Sequence, residues 1–392
     1  MSVSLQPASR VRHLRAEGAY HVLAQAQALE REGRDIIHLE VGEPDARTFD
    51  NIQQAGVAAI QAGKTRYNPP AGMPELRRAI AEVAGRQRSL PITPDQVIVS
   101  PGAKPNMFFP TLALVEPGDE VLYPDPGFPT YAAMIGVAGG IPVPVPLNEE
   151  NQFSFDLKAF ERLIGPRTKL IILNSPANPT GGVIPPSDLE YLAEAADRYD
   201  CWILSDEIYA RLVYDGVQAV SIASLPGMAE RTIIVDGFSK TYAMTGWRLG
   251  FGIMPEPLAR VVELLITHSV GCSAHFTQIA AVEALRGPQD QVEALAGSFR
   301  VRRNRLVEGL NAIPGISCQR PQGAFYVFPN IRALGLGSDE VADRLLREVG
   351  VALLPGTAFG TNGEGYLRLS YANSMDNLER ALDRIGTFVR NL

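Results

Sequence analysis

Cysteine is scarce and badly placed for pairing. Cys201, Cys272 and Cys318 are the only three in 392 residues. An odd number, wide spacing and no Cys-x-x-Cys pair argue against a disulfide framework and against a zinc site. They predict buried, reduced thiols, and no metal is expected. A basic tract is missing too. Lys and Arg number 36 against 43 Asp and Glu, and the resulting charge of −7 is spread along the chain. Nucleic acid finds no cationic stripe there, and no acidic tail is left to act as an interaction arm. Arg10, Arg12 and Arg15 stand near the start without the apolar run of a signal peptide, and no apolar stretch approaches the length of a membrane span. The expected protein is soluble and cytoplasmic, with neither nucleic acid nor membrane as partner. Internal repeats and low-complexity segments are absent. No Gly-x-Gly-x-x-Gly follows an apolar strand, which counts against a nucleotide-dependent dehydrogenase.

What is present is an alternation of short apolar runs and longer helical patterns. Chains of this length usually divide into two domains. Segments 96–100, 120–123, 169–173, 201–205 and 231–235 are apolar at successive positions and rich in β-branched residues. They read as strands buried on both faces, as in a parallel sheet covered by helices. Between them lie patterns such as 187–199, where Ser187 or Asp188 is the expected helix start and Leu189, Leu192, Ala193 and Ala196 share a face. The predicted fold class is α/β, with a large domain over 49–285. A smaller α+β domain is predicted from 1–48 and 286–392. It contains a basic helix over 291–310, strand-like runs at 323–329 and 366–371, a helix between them and another at the end. Pro and Gly clusters at 67–72, 124–129 and 176–182 read as turns at element ends. Ligands of an open parallel sheet bind beyond the carboxyl ends of its strands, which is where these polar, Gly/Pro-rich segments fall.

Candidate chemistry begins with Asp236-Gly237-Phe238-Ser239-Lys240-Thr241-Tyr242-Ala243-Met244-Thr245-Gly246-Trp247-Arg248. A lysine amine attacks an aldehyde to form a Schiff base once enough of it is deprotonated, and burial or a nearby cation favours that state. Arg248 offers a fixed fork for a phosphate. Ser100-Pro101-Gly102-Ala103-Lys104-Pro105 opens a helix after a strand, and the free N–H groups of a helix start form a phosphate cradle. Arg368, on the apolar run around Leu367 and Leu369, is costly to bury unless paired, and a carboxylate satisfies it in a bidentate manner.

The lysine segment resembles the signature of the class I/II aminotransferases, the fold-type I pyridoxal 5'-phosphate (PLP) enzymes typified by aspartate aminotransferase. Further landmarks follow in the family's order over nearly the whole chain. The resemblance implies a large domain with a mostly parallel sheet plus a small α+β domain, and PLP held by Lys240 as an internal aldimine. It implies that Asn178, in Asn178-Pro179-Thr180-Gly181, and Tyr209 bond the phenolic oxygen of PLP. Asp206, in Ser205-Asp206-Glu207, would pair with the ring nitrogen and keep the ring cationic, while Glu207 is expected to be structural. The phosphate would lie on Gly102, Ala103, Lys104, Ser239 and Arg248, with Phe128 stacked on the ring. Many relatives carry serine where this chain has Gly237. Arg368 and Gly42, with Asn178, would hold the substrate α-carboxylate, and Tyr67 would reach the phosphate of a neighbouring subunit, making a homodimer with shared sites. His268 lies where some aspartate-specific relatives supply a side-chain cation, but reads as a packed or capping residue. The implied activity is ping-pong transfer of an amino group from an L-amino acid to a 2-oxo acid. A PLP-dependent lyase acting by β-elimination on a sulfur amino acid uses the same constellation and is the alternative. A PLP-binding transcriptional regulator is disfavoured, because the stretch before the first strand is too short for a DNA-binding segment.

Overall fold

A computed structural model describes residues 6–12, 14 and 18–392. Arg15 and the first five residues of the expected small domain lie outside the described residues. An eight-stranded sheet runs in the order Val97–Ser100, Gly250–Ile253, Thr232–Gly237, Trp202–Asp206, Thr168–Asn174, Glu120–Asp125, Ile141–Asn148 and Ser154–Phe155. The strands from Thr232–Gly237 to Ile141–Asn148 pair in parallel. Gly250–Ile253 is antiparallel to both of its neighbours, and Ser154–Phe155 is antiparallel to the strand beside it. Every position of Thr232–Gly237 and Val97–Ser100 is buried, as continuous apolar runs require of a sheet covered on both faces. The fold is the expected α/β architecture.

Two of the strands carry weak strand signals. Gly250–Ile253 has glycine at alternate positions, which lowers its intrinsic strand preference. The glycines are required because the loop behind them comes close. A Cβ on Gly250 would stand 2.5 Å from the Ala103 nitrogen and 2.6 Å from the Gly102 carbonyl carbon, and one on Gly252 would stand 2.8 Å from Asn106 Oδ1. In Ile141–Asn148, Pro142, Pro144 and Pro146 alternate with residues facing the inner strand. Ile141 donates to Asp119 O at 2.8 Å, so the prolines, which have no N–H, turn toward the sheet edge.

The helix expected from Ser187 or Asp188 runs Pro186–Arg198, and neither residue caps it. Pro185 occupies the cap position, because proline's fixed φ suits a helix entry. Asp188 is buried instead and accepts from Ser154 Oγ at 2.6 Å. The C-terminal part forms a three-stranded antiparallel sheet, Tyr326–Val327, Leu367–Ser370 and Leu354–Pro355, with helices Asp290–Asn311, Ser338–Val349 and Met375–Arg390. Ile37–His38 pairs in parallel with Val351–Ala352, tying the N-terminal segment to this part. Cys201 and Cys318 are buried as expected. Cys272 is only partly so, because it lies in the turn between helices Glu256–Thr267 and His275–Arg286 rather than on a core element. No helix among the described residues is long and apolar enough to cross a membrane.

The tight approach at Gly250 yields a stability prediction. Gly250→Ala should destabilise the protein by about 1–3 kcal/mol, the usual cost of forcing an extra methyl into a packed core. Urea unfolding should show a lower midpoint with an unchanged slope.

Candidate active site

Lys240 lies just past the Thr232–Gly237 strand. Its amine donates to the Gly42 carbonyl at 2.5 Å and lies 5.7 Å from the centre of the Phe325 ring. The residue as a whole is half-buried; the amine end, tucked against Gly42 and Phe325, is the part that loses water. Desolvation disfavours the ammonium most strongly. Glu43 opposes it, and Arg368 and Arg248 add to it, so the amine is lowered to about 8. Such an amine is a usable nucleophile and base near neutral pH.

Asp206 closes the neighbouring strand and is only 3% exposed. One carboxylate oxygen accepts from Tyr131 Oη at 2.7 Å and the other from the Ile208 N–H at 3.3 Å. Burial pushes the carboxyl up to about 7 against these hydrogen bonds, with Asp236 and Glu207 adding repulsion. No guanidinium or ammonium among the described residues pairs with it. Glu207 is structural as expected, in a buried ion pair with Arg88 at 2.6 Å.

Asn178 follows the Thr168–Asn174 strand in a loop pinned by Asn174 Oδ1, which accepts the Asn178 N–H at 2.8 Å. Asn178 Oδ1 is buried with no partner. Tyr209 Oη shares a 2.8 Å hydrogen bond with Tyr326 Oη, and burial raises both phenols. Gly42 passes under the same tyrosine: a Cβ there would stand 2.1 Å from Tyr326 Oη.

The loop after Val97–Ser100 bends at Gly102 (φ +84°) and leads into helix Pro105–Leu114. A Cβ on Gly102 would lie 2.3 Å from Arg248 Nη2, so the guanidinium sits directly over the bare backbone. Arg248 is itself in a left-handed conformation (φ 52°), and its Nη1 donates to Thr245 O at 2.8 Å. Ala103 abuts Gly250, and Ser239 is buried beside Lys240. The ammonium of Lys104 lies 5.1 Å from the centre of the Phe128 ring, which meets Tyr131 edge-on at 5.8 Å. Gly237 pairs with Gly250, and a Cβ there would be 3.0 Å from the Gly250 Cα, which accounts for glycine where a serine was anticipated.

Arg368, in Leu367–Ser370, is 3% exposed. Its Nη2 donates to the Glu40 carbonyl, its Nε bonds nothing, and its guanidinium carbon lies 4.6 Å from the Tyr326 ring centre and 5.3 Å from that of Phe359. No carboxylate among the described residues forms an ion pair with it, which removes the internal salt bridge as an explanation of its burial. Tyr67 is 97% exposed, so it is not a core tyrosine, and it stands apart from these groups. His268 is exposed at the C-cap position of helix Glu256–Thr267.

Comparisons with known proteins identify the family. The family model for class I and II aminotransferases matches residues 34–385. The chain belongs to the class I and II aminotransferase family. An aspartate aminotransferase of Pyrococcus abyssi is 42% identical, with 91% of this chain and 92% of that protein aligned. Among solved structures, an aspartate aminotransferase of Thermus thermophilus with maleate superposes with a TM-score of 0.94 at 39% identity, covering 99% of this chain and 100% of that one. An aromatic aminotransferase of Pyrococcus horikoshii gives 0.89 at 38% identity, covering 93% and 99%. The protein is thus a transaminase with the fold-type I architecture, and nothing in these relatives favours the lyase alternative.

In this aminotransferase the groups around the site that sequence reasoning missed are Tyr131, Tyr326, Phe359 and the carbonyl of Glu40. Tyr131 lies three residues after Phe128 at the start of helix Thr130–Ala138, a spacing that puts both on one side of a helical turn. Tyr326 and Phe359 lie in runs that read as ordinary core, and a main-chain acceptor leaves no sequence signal.

The lowered amine yields a pH prediction. Burial favours the neutral form, so Lys240 should lose its proton at lower pH than an ordinary lysine. Reductive alkylation of Lys240 by a small aldehyde, mapped by mass spectrometry, should rise with pH to a midpoint near 8. A lysine in a short unstructured peptide serves as the control and should respond at higher pH. Co-titration of Lys240 with that peptide would contradict the burial argument.

Proposed function

We propose that this aminotransferase binds pyridoxal 5'-phosphate at Lys240 and moves an amino group from an L-amino acid to a 2-oxo acid in a ping-pong cycle. The observation that carries the reading is a buried lysine amine, held by the Gly42 carbonyl and lowered to about 8, on which two cations, Arg248 and Arg368, and Asp206 all act. The residues fit the cofactor on their own chemistry. Among the described residues Asp206 is a buried carboxyl without an ion-pair partner, Asn178 Oδ1 is a buried atom without a hydrogen-bond partner, and the bare Gly102 backbone lies under a guanidinium.

In this reading Asp206, held by Tyr131, would face the ring nitrogen, and Asn178 and Tyr209 would bond the phenolic oxygen. Phe128 would stack on the ring. Gly102, Ala103 and Lys104 would supply N–H groups and charge to the phosphate, with Ser239 and Arg248. When bound, the cofactor supplies an aldehyde for the amine and an electron sink for the charge that develops at the substrate α-carbon. Lys240 takes the proton from that α-carbon, which its depressed basicity suits. Arg368 would hold the α-carboxylate with the N–H groups that Glu40 O leaves free, Nε among them, and Gly42 and Asn178 would frame it. Tyr209, tied to Tyr326, keeps its proton because burial holds the phenol neutral.

The exposure of Tyr67 suits a residue that serves a second copy of the chain, and a homodimer with shared sites and a cytoplasmic setting belong to this proposal. So does the division into a large unit over 49–285 and a small unit from 1–48 and 286–392. It is supported by the pairing of Ile37–His38 with Val351–Ala352. Acidic and aromatic amino acids, named for the relatives, are the donors to test first, against 2-oxoglutarate and pyruvate.

Lys240→Ala should abolish transamination and the visible absorbance band of the bound cofactor. Retained turnover would refute the assignment. Arg368→Ala should lower kcat/KM for every amino donor by about 30-fold or more, the equivalent of roughly 2 kcal/mol or above for a desolvated charge pair. Steady-state kinetics with donors of different side chains would expose a failure, since a loss confined to one donor contradicts α-carboxylate binding.

A further inference from the structure

We propose that Arg88 is a positioning residue for transamination, tying Glu207, the neighbour of Asp206, to Asp236, on the strand that leads to Lys240. The proposal rests on the roles given above to Asp206 and Lys240. Arg88 is the last residue of helix Pro74–Arg88, where the carbonyl end of a helix favours a cation. Its Nε donates to Glu207 Oε2 at 2.6 Å and its Nη2 to Asp236 Oδ2 at 2.6 Å. The side chains are 5%, 6% and 12% exposed, respectively. Each carboxylate is further fixed. Glu207 Oε1 accepts from Ser221 Oγ at 2.6 Å and Ser205 Oγ at 3.0 Å, and Asp236 Oδ1 accepts from the Gly237 N–H at 2.7 Å.

The two strand ends are adjacent. Asp206 pairs with Val235, and the Glu207 N–H donates to Val235 O at 2.8 Å. Side chains alternate along a strand, so the arginine grips positions on the face opposite Asp206 and fixes the backbone that aims it. A planar fork spanning two acceptors sets their separation in a way a flexible ammonium does not. The charge balance adds a second effect. One cation faces two carboxylates, which leaves a surplus negative charge that both Glu207 and Asp236 exert on Asp206. That surplus favours a protonated, cationic ring beside Asp206. The Tyr242 phenol, raised mainly by burial, also feels Asp236, with Arg211 acting against it.

The test uses the cofactor-loaded enzyme and reads the pH titration of its visible band together with kcat, KM and thermal midpoint. Glu207→Gln keeps the shape and removes one negative charge, so the titration midpoint should fall. Arg88→Lys keeps the charge and loses the fork, leaving two carboxylates less well met, so the midpoint should rise. Both should lower kcat about tenfold or more while KM for the donor stays within about threefold. Shifts of opposite sign support the proposal, because a residue that only stabilised the fold would lower the thermal midpoint without moving the band. Unchanged kcat and unchanged titration in folded variants overturn it. If Arg88→Lys does not fold, Glu207→Gln and Asp236→Asn decide, and both must lower the midpoint. Lys240→Ala, run alongside, separates the two layers: a persisting band there overturns the site reading and this proposal together, whereas an abolished band with unmoved variants overturns the Arg88 role alone.

Discussion

A charge taken out of water costs several kcal/mol unless something meets it, and this chain takes several out of water close enough to act on one another. Asp206 and Arg368 are almost fully covered, yet neither forms an ion pair with another protein side chain among the described residues. Lys240 escapes part of the cost by giving up its proton more readily. Asp206 is eased by Tyr131, and Arg368 by the Glu40 carbonyl and two aromatic faces. These partial compensations are weaker than a full counter-charge. In the proposed reading the remainder is what a cationic ring and a substrate carboxylate would supply, so the desolvation that strains the site would also give it affinity for them.

The scaffold makes that arrangement affordable by delivering the groups on strand ends. Lys240, Asp206 and Asn178 follow three neighbouring parallel strands, and Gly102 follows a fourth brought close by the glycine strand Gly250–Ile253. Strands covered on both faces are rigid supports, and these groups lie at the strand ends or within a few residues of them. Position is therefore set by the sheet rather than by loop packing.

Much of this was legible in the sequence. The parallel strands announced themselves as continuous β-branched runs, and the lysine, asparagine, aspartate and arginine landmarks came in family order. What escaped has physical reasons. Gly250–Ile253 reads poorly as a strand because its glycines answer to the approach of Ala103, a tertiary fact. Ile141–Asn148 is disguised by prolines that are tolerable only because they face the sheet edge. Pro185 displaced the expected caps of the next helix, since Asp188 was drawn inward by Ser154. Tyr131 and Tyr326 looked like core because they are core; their hydroxyls matter only through partners distant in sequence.

The pairing of Ile37–His38 with Val351–Ala352 bears on how the molecule comes into being. During synthesis the early segment has no strand to join until almost the whole polypeptide has emerged from the ribosome. Leu39 and Glu40, just beyond it, accept hydrogen bonds from Ser370 and Arg368, so Arg368 is seated only when those distant stretches meet. The sheet that carries Lys240 and Asp206 is built from residues 97–253 and can form earlier. The Lys240 amine, held by the Gly42 carbonyl and set against Phe325, reaches its final surroundings only when those late contacts close, and contacts so far apart in sequence are entropically costly to form.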